Sequence, residues 1–99
     1  MSFKLKTVCE EESFRVKIDE LRETYARIDE VWQSISWNLA RDPLVGVPLE
    51  SNHSFRVYTT DSYGKTPHFW VLYTYVRDDD MVYLWQIESI PENSADDYF

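Results

Sequence analysis

Five side chains in the second half of this 99-residue chain are suited to proton or phosphate chemistry: His53, Arg56, Lys65, His68 and Arg77. A histidine within hydrogen-bond reach of a ribose 2′-hydroxyl can take its proton, while arginine or lysine holds the adjacent phosphate. Two readings of the histidines stand side by side. In one they form a base and acid pair. In the other His53 is a loop residue and His68 opens a strand, and their spacing matches no metal or catalytic signature. The run Asp78-Asp79-Asp80 lacks the glycine and distal glutamate of a calcium loop and reads as a hairpin turn. No glycine-rich phosphate loop, zinc spacing or nucleophile elbow is present. No cofactor and no metal is expected.

Charge bears on the same question. The chain carries 18 acidic against 10 basic residues, a net charge of −8. After Arg77 there is no Lys or Arg, whereas Asp78, Asp79, Asp80, Glu88, Glu92, Asp96 and Asp97 follow. Nucleic-acid affinity rests on cations that displace phosphate counterions, so this balance argues against non-specific binding to DNA or RNA. It suits partners that are basic or neutral. Trp32, Trp37, Trp70 and Trp85 could stack on bases, but stacking normally accompanies a basic groove. An aromatic core or a protein interface is the better use of them. The single cysteine, Cys9, excludes an internal disulfide and fits a cytoplasmic chain. No apolar run reaches the roughly 18 residues of a membrane span.

The elements that must position these residues follow from apolar spacing. At 43% hydrophobic and 16% aromatic residues, the chain can bury one core. Phe3 to Cys9 alternate as a short strand, and Lys4 and Lys6 place it at or near a sheet edge. Phe14, Ile18, Leu21, Tyr25, Ile28, Trp32, Ile35 and Leu39 recur at alternating intervals of four and three, one apolar helix face across residues 13–41. Ser13 can cap its start, and Asp42-Pro43 stops it. A straight helix of this length would run about 43 Å. A compact chain of this size has a radius of gyration near 13 Å. A break near Glu23–Ala26 would fold the segment into a hairpin that fits.

Residues 43–54 read as a loop. Phe55–Thr60, His68–Arg77 and Met81–Glu88 read as three antiparallel strands. The continuous apolar run of the second suggests a central strand covered on both faces. In the third, Met81, Tyr83, Trp85 and Ile87 alternate with Val82, Leu84 and Gln86. Residues 61–67 form a long turn, and Pro91 ends the last strand ahead of a polar tail at 92–99. The fold class is α+β in a single domain: an N-terminal strand, one long helix or helical hairpin, then a three-stranded antiparallel meander.

Asp42-Pro43-Leu44-Val45-Gly46-Val47-Pro48-Leu49 after a long helix, Phe55-Arg56-Val57-Tyr58 opening the sheet, and the aromatic stretch Phe69–Ile87 closing it form a familiar text. In this order the chain resembles the RelE/ParE superfamily of bacterial type II toxin-antitoxin toxins, over roughly residues 3–90. One branch of that family cuts translated mRNA on the ribosome with basic residues on the sheet; another inhibits DNA gyrase. Both are usually neutralised by an antitoxin. The resemblance implies a metal-independent mRNA interferase, with Arg56 the one residue matching a basic catalytic position. Tyr58, Trp70 and Ser89–Glu92 stand where that branch carries further cations, and the family's tail aromatic survives as Tyr98. RNA cleavage without metal needs cations against the charge building on phosphate. The alternative is a catalytically degenerate binding module on the same fold, acting on a protein partner. That partner would be an antitoxin-like segment offering Lys, Arg and apolar anchors to the exposed side of Met81–Glu88 and the tail.

Overall fold

The structure is a computed structural model that describes residues 5–61 and 67–90. Strand β1 spans Thr7–Glu10, followed by helices α1 (Glu12–Thr24) and α2 (Ile28–Arg41). A two-residue strand β2 (Val47–Pro48) precedes β3 (Phe55–Thr59), β4 (His68–Val76) and β5 (Met81–Ile90). The sheet order is β1-β5-β4-β3-β2, antiparallel except where β1 runs parallel to β5. The expected α+β architecture is thus realised, with the first strand at a sheet edge as expected, although β1 begins only at Thr7, after Lys6, and Lys4 lies outside the described residues. β2 is an addition inside the expected loop, where Val47 and Pro48 pair with Val57 and Arg56.

The helical segment breaks at Tyr25, close to where length alone required it. Tyr25 is extended (φ −119°, ψ 111°), which turns its ring edge-on to Phe69 at 5.6 Å. No glycine or proline marks the break; packing of the ring on the sheet stabilises it. Arg22 spans the turn to Asp19 and Asp29, the latter at 2.9 Å. The break also shifts the helical phase. Phe14, Ile18 and Leu21 are buried on α1 as the spacing predicts, but on α2 the buried row is Ile28, Val31, Ile35 and Leu39, with Trp32 moved to the flank. Ser13 does not cap α1. It lies inside the first turn and donates to the carbonyl of Trp85 at 2.8 Å, tying α1 to β5 beyond the end of β1.

These helices cover one sheet face, formed by Phe69, Val71 and Tyr73 of β4 and Val82, Leu84 and Ile87 of β5. Each such side chain contributes about 1.5–3 kcal/mol by leaving water. A bulge interrupts β5: Tyr73 pairs with Leu84 and Leu72 with Gln86, leaving Trp85 without a partner in the register. The extra residue reverses the alternation. Ile87 therefore joins Val82 and Leu84 in the core rather than Trp85, and Gln86 is exposed. β4 is central in the sheet, as expected, but the helices cover only one of its faces. Arg77 leaves the strand for a 3-10 turn over Arg77–Asp79, closed by Asp80 in the left-handed region (φ 53°), an conformation that short acidic residues tolerate.

One buried phenol fixes the loop after α2. Tyr73 is fully buried; its hydroxyl donates to Pro43 O at 2.8 Å and accepts from Gly46 N at 2.9 Å. Burial raises its pKa, against the opposing pull of the Gly46 N–H and Arg56. A β-carbon on Gly46 would lie 2.6 Å from the Tyr73 hydroxyl and 2.8 Å from the Val57 carbonyl, and that carbonyl belongs to a paired strand.

Two outcomes follow from this latch. Gly46→Ala should lower unfolding free energy by about 2 kcal/mol, as overpacking does, read from the urea midpoint. Tyr73→Phe should cost about 1–3 kcal/mol, because it orphans a buried carbonyl and amide. A raised folded pKa means that the unfolded phenol ionises first. Wild-type stability should therefore hold below about pH 10, the ordinary tyrosine value, and fall above it. Tyr73→Phe should lack that component of the fall.

Candidate functional site

The sheet's second face carries no helix among the described residues. Strand alternation and the pairing register place Phe55, Val57 and Thr59 of β3, Trp70, Leu72 and Thr74 of β4, and Tyr83 and Trp85 of β5 there. Trp85 donates its indole N–H to Thr74 Oγ1 at 2.9 Å, and its ring lies 6.2 Å from that of Phe55. The bulge sets this geometry, since it turns Trp85 and Gln86 to the same side. The result is an aromatic and apolar platform bordered by Glu88, whose carboxylate meets Lys17 of α1 at 3.2 Å. Among the described residues its strands place no Lys or Arg on this face.

Of the described candidate side chains only His68, two residues before Trp70, shares this face by strand alternation. Arg56 pairs in register with Tyr73 and points to the helix-covered side. There its guanidinium donates to Gly46 O at 2.7 Å and Leu44 O at 3.2 Å, beside the Tyr73 latch. Its neighbour at the next like-facing position, Tyr58, accepts from Asn38 Nδ2 at 2.8 Å. His53 is exposed in the turn before β3, where Asn52 bonds the following amides. His68 opens β4 with Nδ1 2.7 Å from Thr60 O. That contact puts the proton on Nδ1 and leaves Nε2 as an acceptor in the neutral ring. Arg77 lies beyond the other end of β4, about 30 Å from His68 at 3.3 Å per residue. His53 shares Arg77's end of the sheet. Lys65, the body of the 61–67 turn, and the tail with Tyr98 lie outside the described residues. No two of the four described candidates share a hydrogen-bonded pair or a common cleft.

Other groups emerge that spacing did not reveal. Tyr73 and Gly46 act through the latch, and a cleft of about 430 Å³ opens between the helices, where Arg22 is already held by Asp19 and Asp29. The signal for Tyr73 was present only as one aromatic among many in an apolar run. Among the described residues no group of three or more His, Cys, Asp or Glu converges as a metal site. Among the described residues no helix is long and apolar enough to cross a membrane.

No protein-family model matches the chain, and no curated protein is significantly similar in sequence. Among solved structures, it is similar to a chain of the crystal structure of the toxin-antitoxin complex RelBE2 from Mycobacterium tuberculosis. The TM-score is 0.72 at 19% identity, over 90% of this chain and 95% of that one. So broad a superposition takes in most of the described strands and helices, and the chain accordingly shares the fold of that RelBE2 chain.

Proposed function

We propose that this chain is a toxin-like protein that works by binding a protein partner, with the helix-free platform as its docking face. One observation carries the reading. The single arginine that matches a catalytic position, Arg56, is turned to the opposite side of the sheet and holds the 43–46 loop. A phosphorane forming over Trp70, Trp85 and Tyr83 would meet no cation from the strands. Charge stabilisation of that kind is the largest requirement of metal-free RNA cleavage. The platform instead suits apolar anchors. The net charge of −8 favours a partner segment rich in Lys and Arg, so the partner is antitoxin-like in form and reversed in charge. Opposite charge speeds encounter, while buried aromatic contacts set affinity. A second reading, an mRNA interferase, draws on the shared fold and on the capacity of the same aromatics to stack on bases. It would recruit His53, His68, Lys65, Arg77 and Arg56 only after rearrangement, and it would act in the cytoplasm.

Inducing the chain in bacteria and mapping mRNA 5′ ends separates the two. The binding module leaves translated mRNA intact; new codon-phased cuts would overturn it in favour of the enzyme. Arg56→Ala should lower stability by about 1–2 kcal/mol, since it removes charged hydrogen bonds to two carbonyls, as read by urea unfolding. In stopped-flow mixing with a basic, amphipathic partner segment, the association rate should drop about tenfold between low and high salt.

A further inference from the structure

We propose that Trp70 and Glu88 form an arginine-binding subsite on the helix-free platform, in which a partner's guanidinium lies on the indole and takes the carboxylate from Lys17. This deepens the docking reading above and rests on it, by naming the side chain that the partner must bring.

Strand pairing builds the subsite. The register sets Thr59 of β3 beside Trp70 of β4, and Trp70 beside Glu88 of β5. Residues directly opposite each other in antiparallel strands share a face, with Cβ atoms about 4.5–5.5 Å apart. A hydroxyl, an indole and a carboxylate therefore stand in one row across the platform. Phe69 and Val71, on either side of Trp70 in the chain, are fully buried against the helices, which turns Trp70 to the helix-free face, where it is only partly buried. Glu88 is the one carboxylate that the described strands place on this face, and they place no Lys or Arg there.

The carboxylate already has a cation, but one that exchanges readily. Lys17 reaches Glu88 from α1 at 3.2 Å, and the same ammonium lies 4.0 Å from Glu20. The Glu88 side chain is 46% exposed and that of Lys17 32%. An ion pair this open to water contributes little to stability. A cation that gains more at the same carboxylate therefore displaces Lys17, which keeps Glu20 as its partner on α1.

Chemistry selects which cation that is. Beside Trp70 an incoming cation gains from the indole face as well as from Glu88, and tryptophan is the strongest aromatic partner for a cation. A guanidinium is planar, so it stacks on a ring and still aims N–H groups from its edge at a carboxylate, two at a time. The Thr59 hydroxyl, on the other side of Trp70, accepts an N–H that points away from Glu88. An ammonium is a compact, strongly hydrated point charge that cannot lie flat on the ring and pair edge-on at once. A partner lysine would merely exchange one ammonium for another at Glu88. An arginine satisfies the whole row, so the subsite distinguishes between the two basic side chains.

Calorimetric titration of the full chain with two synthetic peptides tests the proposal. One carries leucines along one helix face and arginines along the other; its counterpart has every arginine replaced by lysine. Circular dichroism confirms that each protein variant is folded, and the indole N–H resonances of Trp70 and Trp85 report whether the platform is the place of binding. The arginine peptide should bind about tenfold more tightly than the lysine peptide. Glu88→Gln and Trp70→Leu should each bring the two affinities together. Lys17→Met should raise the affinity for the arginine peptide about threefold, and should leave it unchanged in the Glu88→Gln background. That pairing separates the release of Glu88 from a general change in net charge. Equal affinities for the two peptides at the platform, or an arginine preference that survives Glu88→Gln, overturn the subsite and leave the docking face standing. If neither peptide shifts the two indole resonances, the docking face and the subsite fall together.

Discussion

The buried hydroxyl of Tyr73 decides how the two halves of this molecule meet. It sits in the middle of β4, at the centre of the sheet, yet its hydrogen bonds go to Pro43 and Gly46 in the loop that leaves α2. A phenol sealed from water must find partners, and a loop carbonyl and amide near the core must find them too. Each satisfies the other. The helical hairpin is thereby fixed against the sheet at its far end, while Tyr25 on Phe69 fixes it at the turn. The pleat between these two points is filled by Val71, Ile35 and their neighbours.

That latch reaches into function through Arg56. β3 must bring Val57 next to β2 and Arg56 next to Tyr73, so the guanidinium lies over the same loop and completes the carbonyl bonding at Leu44 and Gly46. The residue best placed by resemblance to do chemistry becomes part of the support. On the opposite face, the Trp85 bulge turns two consecutive residues outward and gives the platform its aromatic centre. One face of the sheet thus spends its polar groups on architecture, and the other keeps an apolar surface with few charges.

The β1 side of the sheet is closed in two ways. β5 runs past the end of β1, and α1 covers the excess through Ser13 and Lys17. Among the described residues the outer side of β1 receives the end of α2. The fold therefore leaves its aromatic face and the side of β1 in different surroundings, the one without a helix among the described residues and the other beside the end of α2.

The sequence by itself determined the class of structure. Apolar periods of 3.6 and 2 residues are local properties, so the helices, the three long strands, the turn near Asp78–Asp80 and the edge position of the first strand were legible without a fold. The helix break was legible only as a limit on length. Its place at Tyr25 depended on Phe69, far away in the chain, and the switch from Trp32 to Val31 in the core followed from it. The bulge at Trp85 left no local mark either, because it arises from matching the β4 and β5 registers over one core, and it moved Ile87 across the sheet. The candidate site was least legible. His53, His68 and Arg77 are recognisable by type, but only the tertiary structure showed His68 at the opposite end of the sheet from the other two. Arg56 has a side chain suited to holding a phosphate, and which face of a strand it occupies is decided by pairing with Tyr73. A side chain's chemistry is written in the sequence; its direction is set by what the rest of the chain packs against.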